Sequence, residues 1–395
     1  MAQFHWRIPI HGDKGDIGSP NYTRGTWGPL VDGNQGPPVI NGQPDRTTPY
    51  HDYLLQEAKA AEIAGFDGAL IPSFPDSEDP WVIASSIARH TKTLRFMIAY
   101  QPMWFDPLHA AKASASLQRL SGGRLLFNII TGGGGPGQLW WGDRIAHDDR
   151  YVRTTEFLDV LKGVWDGRPF SYDGKFFKIK NAVLPAPLAG QRFPELYFVG
   201  SSDVALAAQG KHADFDLTHL EPEGNLITKF RRVRELASKD GRTVQPGVRF
   251  NIIARRTPEE AWNVVRRAWD NIDWDAKEKA PRRGRGDAVG SFRVEVTRQT
   301  KVEDLIVEDL WGGFGTLGSQ GSPLGFVGSY EQAAERIDKF IRLGVGGFVL
   351  SSTPALEEAF HVGEEVLPLV RGVGAPAQAA PAQSALAQPA IAVAV

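Results

Sequence analysis

Residues Arg124-Leu125-Leu126-Phe127-Asn128-Ile129-Ile130 run directly into Thr131-Gly132-Gly133-Gly134-Gly135-Pro136-Gly137. The first seven are too few and too apolar for a helix and read as a strand buried on both faces. The glycine run lets a backbone approach a flat ligand without Cβ clashes. Beyond it come His147-Asp148-Asp149-Arg150-Tyr151, then Phe157, Leu158, Leu161, Val164 and Trp165 at helical spacing. Strand, glycine loop and helix in that order put the loop at the carboxyl end of the strand, where α/β folds hold ligands. Gly132, Gly134 and Gly137 also fall in phase with a dinucleotide fingerprint, but the internal proline argues against that reading.

Outward from this unit the same beat repeats. Apolar strand-like runs occur at residues 4–10, 68–72, 94–99, 196–199, 215–218, 248–254 and 347–350. Helical periodicity follows each. Proline sits where a helix should begin at Pro80, Pro107, Pro258 and Pro354, each after Asp or Thr, which suits the first helical turn. Eight strands alternating with helices predict a parallel (β/α)8 TIM barrel, with a doubly wound open sheet as the alternative. We expect a single barrel domain over residues 1–371. Insertions fall at about 13–50, at 168–182 (a hairpin with an Asp173-Gly174 turn) and at 275–326, read as a mobile lid with some helix near 298–310. Residues 372–395 are a low-complexity Ala/Pro/Gln tail.

Composition narrows the function. The chain has 395 residues, a net charge of −2 and no cysteine. Near-neutral charge gives no reason to expect a nucleic-acid or membrane partner. The missing cysteine excludes disulfides, thiolate metal sites and a thiol nucleophile. No His or carboxylate cluster has metal spacing, so no metal is expected. The amino terminus lacks a signal-peptide pattern and no apolar run reaches membrane-spanning length, so a cytoplasmic location is expected.

Asn128 and Thr131, at a strand's carboxyl end beside glycines, can supply amide and hydroxyl contacts to the polar edge of a flat cofactor. Asn128 could equally be a satisfied buried amide. Gly200-Ser201-Ser202 precedes a helix and offers hydroxyls and free N–H groups to a phosphate. A plain helix cap would need only one of the serines. Tyr151 and Arg150 begin another helix and could reach the same phosphate, although Arg150 could instead be a surface ion-pair residue. Arg249 and Asn251 share one face of a strand, and an arginine fork suits an XO3 anion. Arg249 held by a core carboxylate is the alternative. Residues Asp76, Ser77, Glu78 and Asp79 read as rim and cap residues.

Several motifs in order carry a family resemblance: His11-Gly12-Asp13, the strand end at Phe127–Gly132, His147-Asp148-Asp149-Arg150-Tyr151, Gly200-Ser201-Ser202, and Leu350-Ser351-Ser352-Thr353-Pro354 with Glu357-Glu358. Together these resemble the bacterial luciferase-like flavin monooxygenases, and within them the alkanesulfonate monooxygenases. The resemblance spans about residues 4–370. It implies reduced FMN supplied by a separate NAD(P)H-dependent reductase, and O2 used to oxygenate and desulfonate a sulfonate to aldehyde and sulfite. This would place the protein in sulfur metabolism, as a homodimer or homotetramer. It implies His11, Arg249 and Asn251 as catalytic residues. It also implies Asn128, Thr131, His147, Tyr151, Gly200, Ser201 and Ser202 as flavin contacts.

The chain departs from the alkanesulfonate pattern at three positions. Ser77 stands where those enzymes carry cysteine, Asn251 where they carry histidine, and Thr353 where they carry tyrosine. Residues 315–322 also lack their loop arginine. A sugar sulfonate or other organosulfur substrate is therefore an alternative. So are a deazaflavin-dependent hydride-transfer enzyme and a non-catalytic flavin-binding protein on the same barrel.

Overall fold

The structure is a computed structural model, described over residues 1–10, 39–40, 43–44, 50–74, 77–132, 135–270, 272, 274–275, 294–317 and 324–372. Eight strands form the frame: β1 (Gln3–Arg7), β2 (Gly68–Ile71), β3 (Arg95–Tyr100), β4 (Leu125–Ile130), β5 (Leu196–Val199), β6 (Phe215–His219), β7 (Gln245–Arg255) and β8 (Gly347–Ser351). Their order is β6-β5-β4-β3-β2-β1-β8-β7, and β6 also pairs with β7, which closes the sheet. Every pairing around the ring is parallel. The expected barrel is thus present, and each of its strands lies within or beside a predicted run.

Helices α1 (Tyr50–Ile63), α2 (Pro80–Ala88), α3 (Pro107–Ser121), α4 (His147–Trp165), α5 (Asp203–His212), α6 (Glu223–Ser238), α7 (Pro258–Asp270) and α8 (Tyr330–Arg342) surround it. Their starts follow local chemistry. Asp79 accepts from the N–H groups of Trp81 and Val82, and Asp106 from those of Leu108 and His109. Thr257 and Glu260 cap each other reciprocally, as do Ser329 and Gln332. Pro354 departs from the expected pattern: it is the flanking residue of Ala355–Phe360 rather than its first helical position.

Alternation along each strand sorts side chains into two cores. Phe4, Trp6, Phe96, Phe127, Phe198, Phe250 and Phe348 face the helices. Leu70, Met97, Leu126, Tyr197, Leu217 and Val349 fill the barrel interior. At the amino end the interior is sealed by a parallel stack of Tyr197 on Phe215, centroids 4.3 Å apart. Gly347 makes room for it, since a Cβ there would lie 3.0 Å from Tyr197 and 3.1 Å from Phe215. Hydrogen bonds complete the seal. His5 Nε2 lies 3.1 Å from Tyr197 Oη, Tyr197 donates to Gln3 Oε1, and Arg95 bridges Gln3 and Glu195. Among the described residues the amino end is thus closed, and the open end is at the carboxyl ends of the strands.

Two expectations need correction. Within the segment expected to be a lid, residues 302–317 include side chains packed on α7. Val302, Leu305, Trp311, Phe314 and Leu317 are buried against Val264, Val265, Ala268 and Trp269 of α7. The helix expected near 298–310 is only a 3-10 turn at Val302–Leu305, followed by the two-residue strands Ile306–Val307 and Leu310–Trp311. The second concerns Gly325–Ser329, which is a strand parallel to the carboxyl half of β7. Residues 276–293 and 318–323 of that segment, His11, and most of 13–49 lie outside the described residues. The hairpin expected at 168–182 is present, with Phe170–Asp173 antiparallel to Lys178–Ala182.

Candidate active site

The barrel mouth has two unlike walls. On the β4–β5 wall, Asn128 is level with Ala99 of β3 and Tyr197 of β5, and both of those face the interior. Asn128 is buried, yet its Oδ1 has no hydrogen-bond partner among the described residues. The same holds for Thr131 Oγ1, three residues on. A buried acceptor or hydroxyl left unpaired costs about 1–3 kcal/mol, so two at one strand end make this a candidate ligand site. Gly132 follows with φ of 105°, a conformation that L side chains rarely adopt. A Cβ there would also press within 3.3 Å of Met103 Sδ. No described residue satisfies Asn128 at its oxygen.

β5 ends at Gly200. A Cβ there would sit 3.0 Å from Tyr151 Oη and 2.6 Å from Ala205 Cβ, so the Tyr151 hydroxyl lies directly against the loop. The His147 ring tilts onto Tyr151 at 5.3 Å, and its Nδ1 lies 2.7 Å from Asp148 Oδ1. Ser202 caps α5, its Oγ accepting from Ala205 N at 3.4 Å. Ser201, next to it, opens onto a cavity of about 760 Å³ between α5 and α6, lined also by Thr228, Lys229 and Arg232. His147, Tyr151, Gly200, Ser201 and Ser202 are thus brought to one corner. Arg150 is not a surface residue: it is buried and donates to the Ile145 carbonyl.

The β7–β8–β1 wall is charged. Arg249 is level with His219 of β6 and Val349 of β8, so it points inward as expected. Phe250 packs outward, 6.3 Å from Phe340. Asn251 is fully buried and accepts a 2.7 Å hydrogen bond from Ser351 Oγ on the neighbouring strand. Burial lowers the pKa of Arg249 to about 10, which still leaves it charged at neutral pH. His219 is pushed down to about 3 by burial and then by the charges of Arg249 and Lys229, so it is neutral.

Sequence reasoning missed Arg7. It occupies the inward register of β1 after Gln3 and His5, and is 4% exposed. The available signal was a lone arginine in a strand whose alternate residues, Phe4 and Trp6, are aromatic. Ser77 takes no part in the site: its hydroxyl closes a local turn with Phe74 and Glu78.

The pattern of the luciferase-like monooxygenases matches residues 36–346. Solved structures share the fold at low identity. EDTA monooxygenase from Chelativorans sp. BNC1 is 18% identical with a TM-score of 0.67, covering 95% of each chain. DmoA from Hyphomicrobium sulfonivorans is 16% identical with a TM-score of 0.68, covering 94% of this chain and 88% of its own. An F420-dependent secondary alcohol dehydrogenase is 17% identical with a TM-score of 0.61, covering 94% of this chain and 99% of its own.

Proposed function

The chain belongs to the luciferase-like monooxygenase family, and on that premise we propose that it is an FMNH2-dependent two-component monooxygenase acting on an organosulfonate. The observation that carries this reading is the pairing of the two walls, unsatisfied neutral polar atoms on one and inward arginine on the other. Asn128 and Thr131 would meet the polar edge of the flavin. Tyr151, His147, Ser201 and Ser202 would hold its phosphate at the start of α5. When bound, the reduced flavin supplies the electrons that activate O2. This chain's residues hold and orient the two reactants and keep water out. Arg249 grips the sulfonate, with the Asn251–Ser351 pair fixing the wall beside it. His11 would orient the anion further. A separate NAD(P)H-dependent reductase would deliver the flavin, and the enzyme would work as a homodimer or homotetramer in the cytoplasm. A deazaflavin-dependent hydride transfer is the second reading, motivated by the fold shared with the F420-dependent alcohol dehydrogenase.

The test is sulfite release from a panel of sulfonates, alkyl and sugar, with an added FMN reductase and with oxygen uptake followed in parallel. Sulfite formed in step with oxygen consumed is the expected result. Turnover without oxygen, or with a deazaflavin alone, would contradict the monooxygenase assignment.

A further inference from the structure

Arg7 is placed by the register of β1. Phe4 and Trp6 face the outer helices, Trp6 donating its Nε1 hydrogen to the Ala355 carbonyl. His5, of the opposite parity, meets Tyr197 inside the barrel. Arg7 shares that parity. His5 pairs with Val349, and Val349 pairs with Arg249. Continued by two residues, this register brings Arg7 level with Ser351 and Asn251, one pleat nearer the mouth than Arg249. Only β8 separates the two strands, roughly 10 Å at the usual strand spacing, which two long side chains can close onto one small group.

Arg7 is buried, and its Nε and Nη2 have no hydrogen-bond partner among the described residues. A buried guanidinium left this way is costly unless something anionic arrives to meet it. The charges that act on it are Arg249 from β7 and Glu57 from α1. Burial first, then the Arg249 charge, lower its pKa to about 9, which leaves it protonated at neutral pH. His5 and His219 are neutral, both held near 3. Among the described residues, two guanidiniums face the one carboxyl group that acts on Arg7, an excess of positive charge that favours an anion.

We infer that Arg7 and Arg249 together form a two-armed clamp for a monoanionic XO3 group, with Arg7 the arm that selects a sulfonate over a carboxylate or a phosphonate, which carries a further acidic proton. This rests on the reading of Arg249 given above. The three oxygens of a sulfonate can take a full fork from each of two sides, whereas a carboxylate that has met one fork keeps only its outer lone pairs for a second donor.

The experiment is calorimetric titration of the flavin-free protein with ethanesulfonate, ethylphosphonate and propionate at low ionic strength. Arg7→Gln, Arg7→Lys, Arg249→Gln and the Arg7→Gln/Arg249→Gln double variant are compared with the parent. Ethanesulfonate should bind most tightly to the parent. Arg7→Gln should weaken it by at least about tenfold, the scale for a lost charge-assisted bond. Arg7→Lys keeps the charge and guards against a folding artefact, yet should recover little, since lysine lacks the fork. The double variant should be scarcely weaker than either glutamine single. Parent-like binding by both Arg7 variants, or no binding of any of the three anions to the parent, would overturn the clamp. If propionate or ethylphosphonate bound best and still depended on both arginines, the clamp would stand as an anion site, but its XO3 selectivity and the sulfonate reading would fall.

Discussion

The β4–β5 wall and the β7–β8–β1 wall of the mouth have opposite chemistry. The first offers a neutral amide oxygen and a hydroxyl without partners among the described residues, glycines that keep the surface flat, and a helix start that carries serines. The second offers arginines at inward register positions and a buried Asn–Ser pair. A neutral, flat wall with hydrogen-bonding groups suits a planar cofactor with a phosphate tail. A cationic wall suits a small anion. Each wall should therefore fail separately when mutated, and that separability can be attacked in several ways.

The largest effect should come from Arg249→Ala. With a sulfonate substrate it should lose at least about 2 kcal/mol in kcat/KM, the scale for a buried charge-assisted bond, and Arg249→Lys should not restore it. Steady-state kinetics checks this, and near-parental turnover would return Arg249 to a structural role.

Next is the phosphate corner. Ser201→Ala with Ser202→Ala should weaken FMNH2 binding by about 1–3 kcal/mol in total while the KM for the sulfonate holds. Ser202 also caps α5, so a loss of about 1 kcal/mol in stability is expected beside it and is read from denaturant unfolding. Unchanged flavin affinity would move the phosphate elsewhere.

Acid should act on the cationic wall through its neutral histidines. The folded pKa values of His5 and His219, each about 3, lie below the ordinary 6.5. The unfolded chain therefore binds the extra protons. Their contribution is fully present above about pH 6.5 and is lost as pH falls toward 3. Each costs roughly 1 kcal/mol of stability per pH unit over that range. Buried Asp216 and Glu358, whose pKa values are raised mainly by burial, act in the opposite sense. Urea unfolding at pH 7 and pH 5 checks the balance, and His219→Gln should flatten the slope. An unchanged slope in that variant would show that His219 titrates alike in the folded and unfolded chain.

The smallest effect sharpens the comparison most finely. Thr131→Val removes a buried hydroxyl with no described partner, so without flavin it should be neutral or stabilising by up to about 1 kcal/mol. The same change should weaken FMNH2 binding. Thermal unfolding with and without flavin separates the two, and a clear loss of stability without flavin would mean the hydroxyl is already satisfied.

Much of this was legible in the sequence because it is local. Eight short apolar runs and the Asp-Pro, Thr-Pro and Ser-x-x-Gln helix starts each announce an element from a few adjacent residues. The inward direction of Arg249 follows from alternation alone. Gly325–Ser329 was not legible, because five residues with two glycines become a strand only by pairing with the far end of β7. Residues 294–317 misled because charge and glycine content hid Trp311 and Phe314, whose burial against α7 is a long-range fact. Arg7 was overlooked for a similar reason. Its meaning depends on Arg249, which lies more than two hundred residues away and reaches it only through β8.

The separation of the two walls is tested most directly by equilibrium binding, without turnover, of FMNH2 and of a sulfonate to Arg249→Ala and to the Ser201→Ala/Ser202→Ala variant. A crossed pattern is expected: the arginine variant loses the sulfonate and keeps the flavin, and the serine variant loses the flavin and keeps the sulfonate. Loss of FMNH2 binding in Arg249→Ala, with the serine variant unaffected, would contradict it.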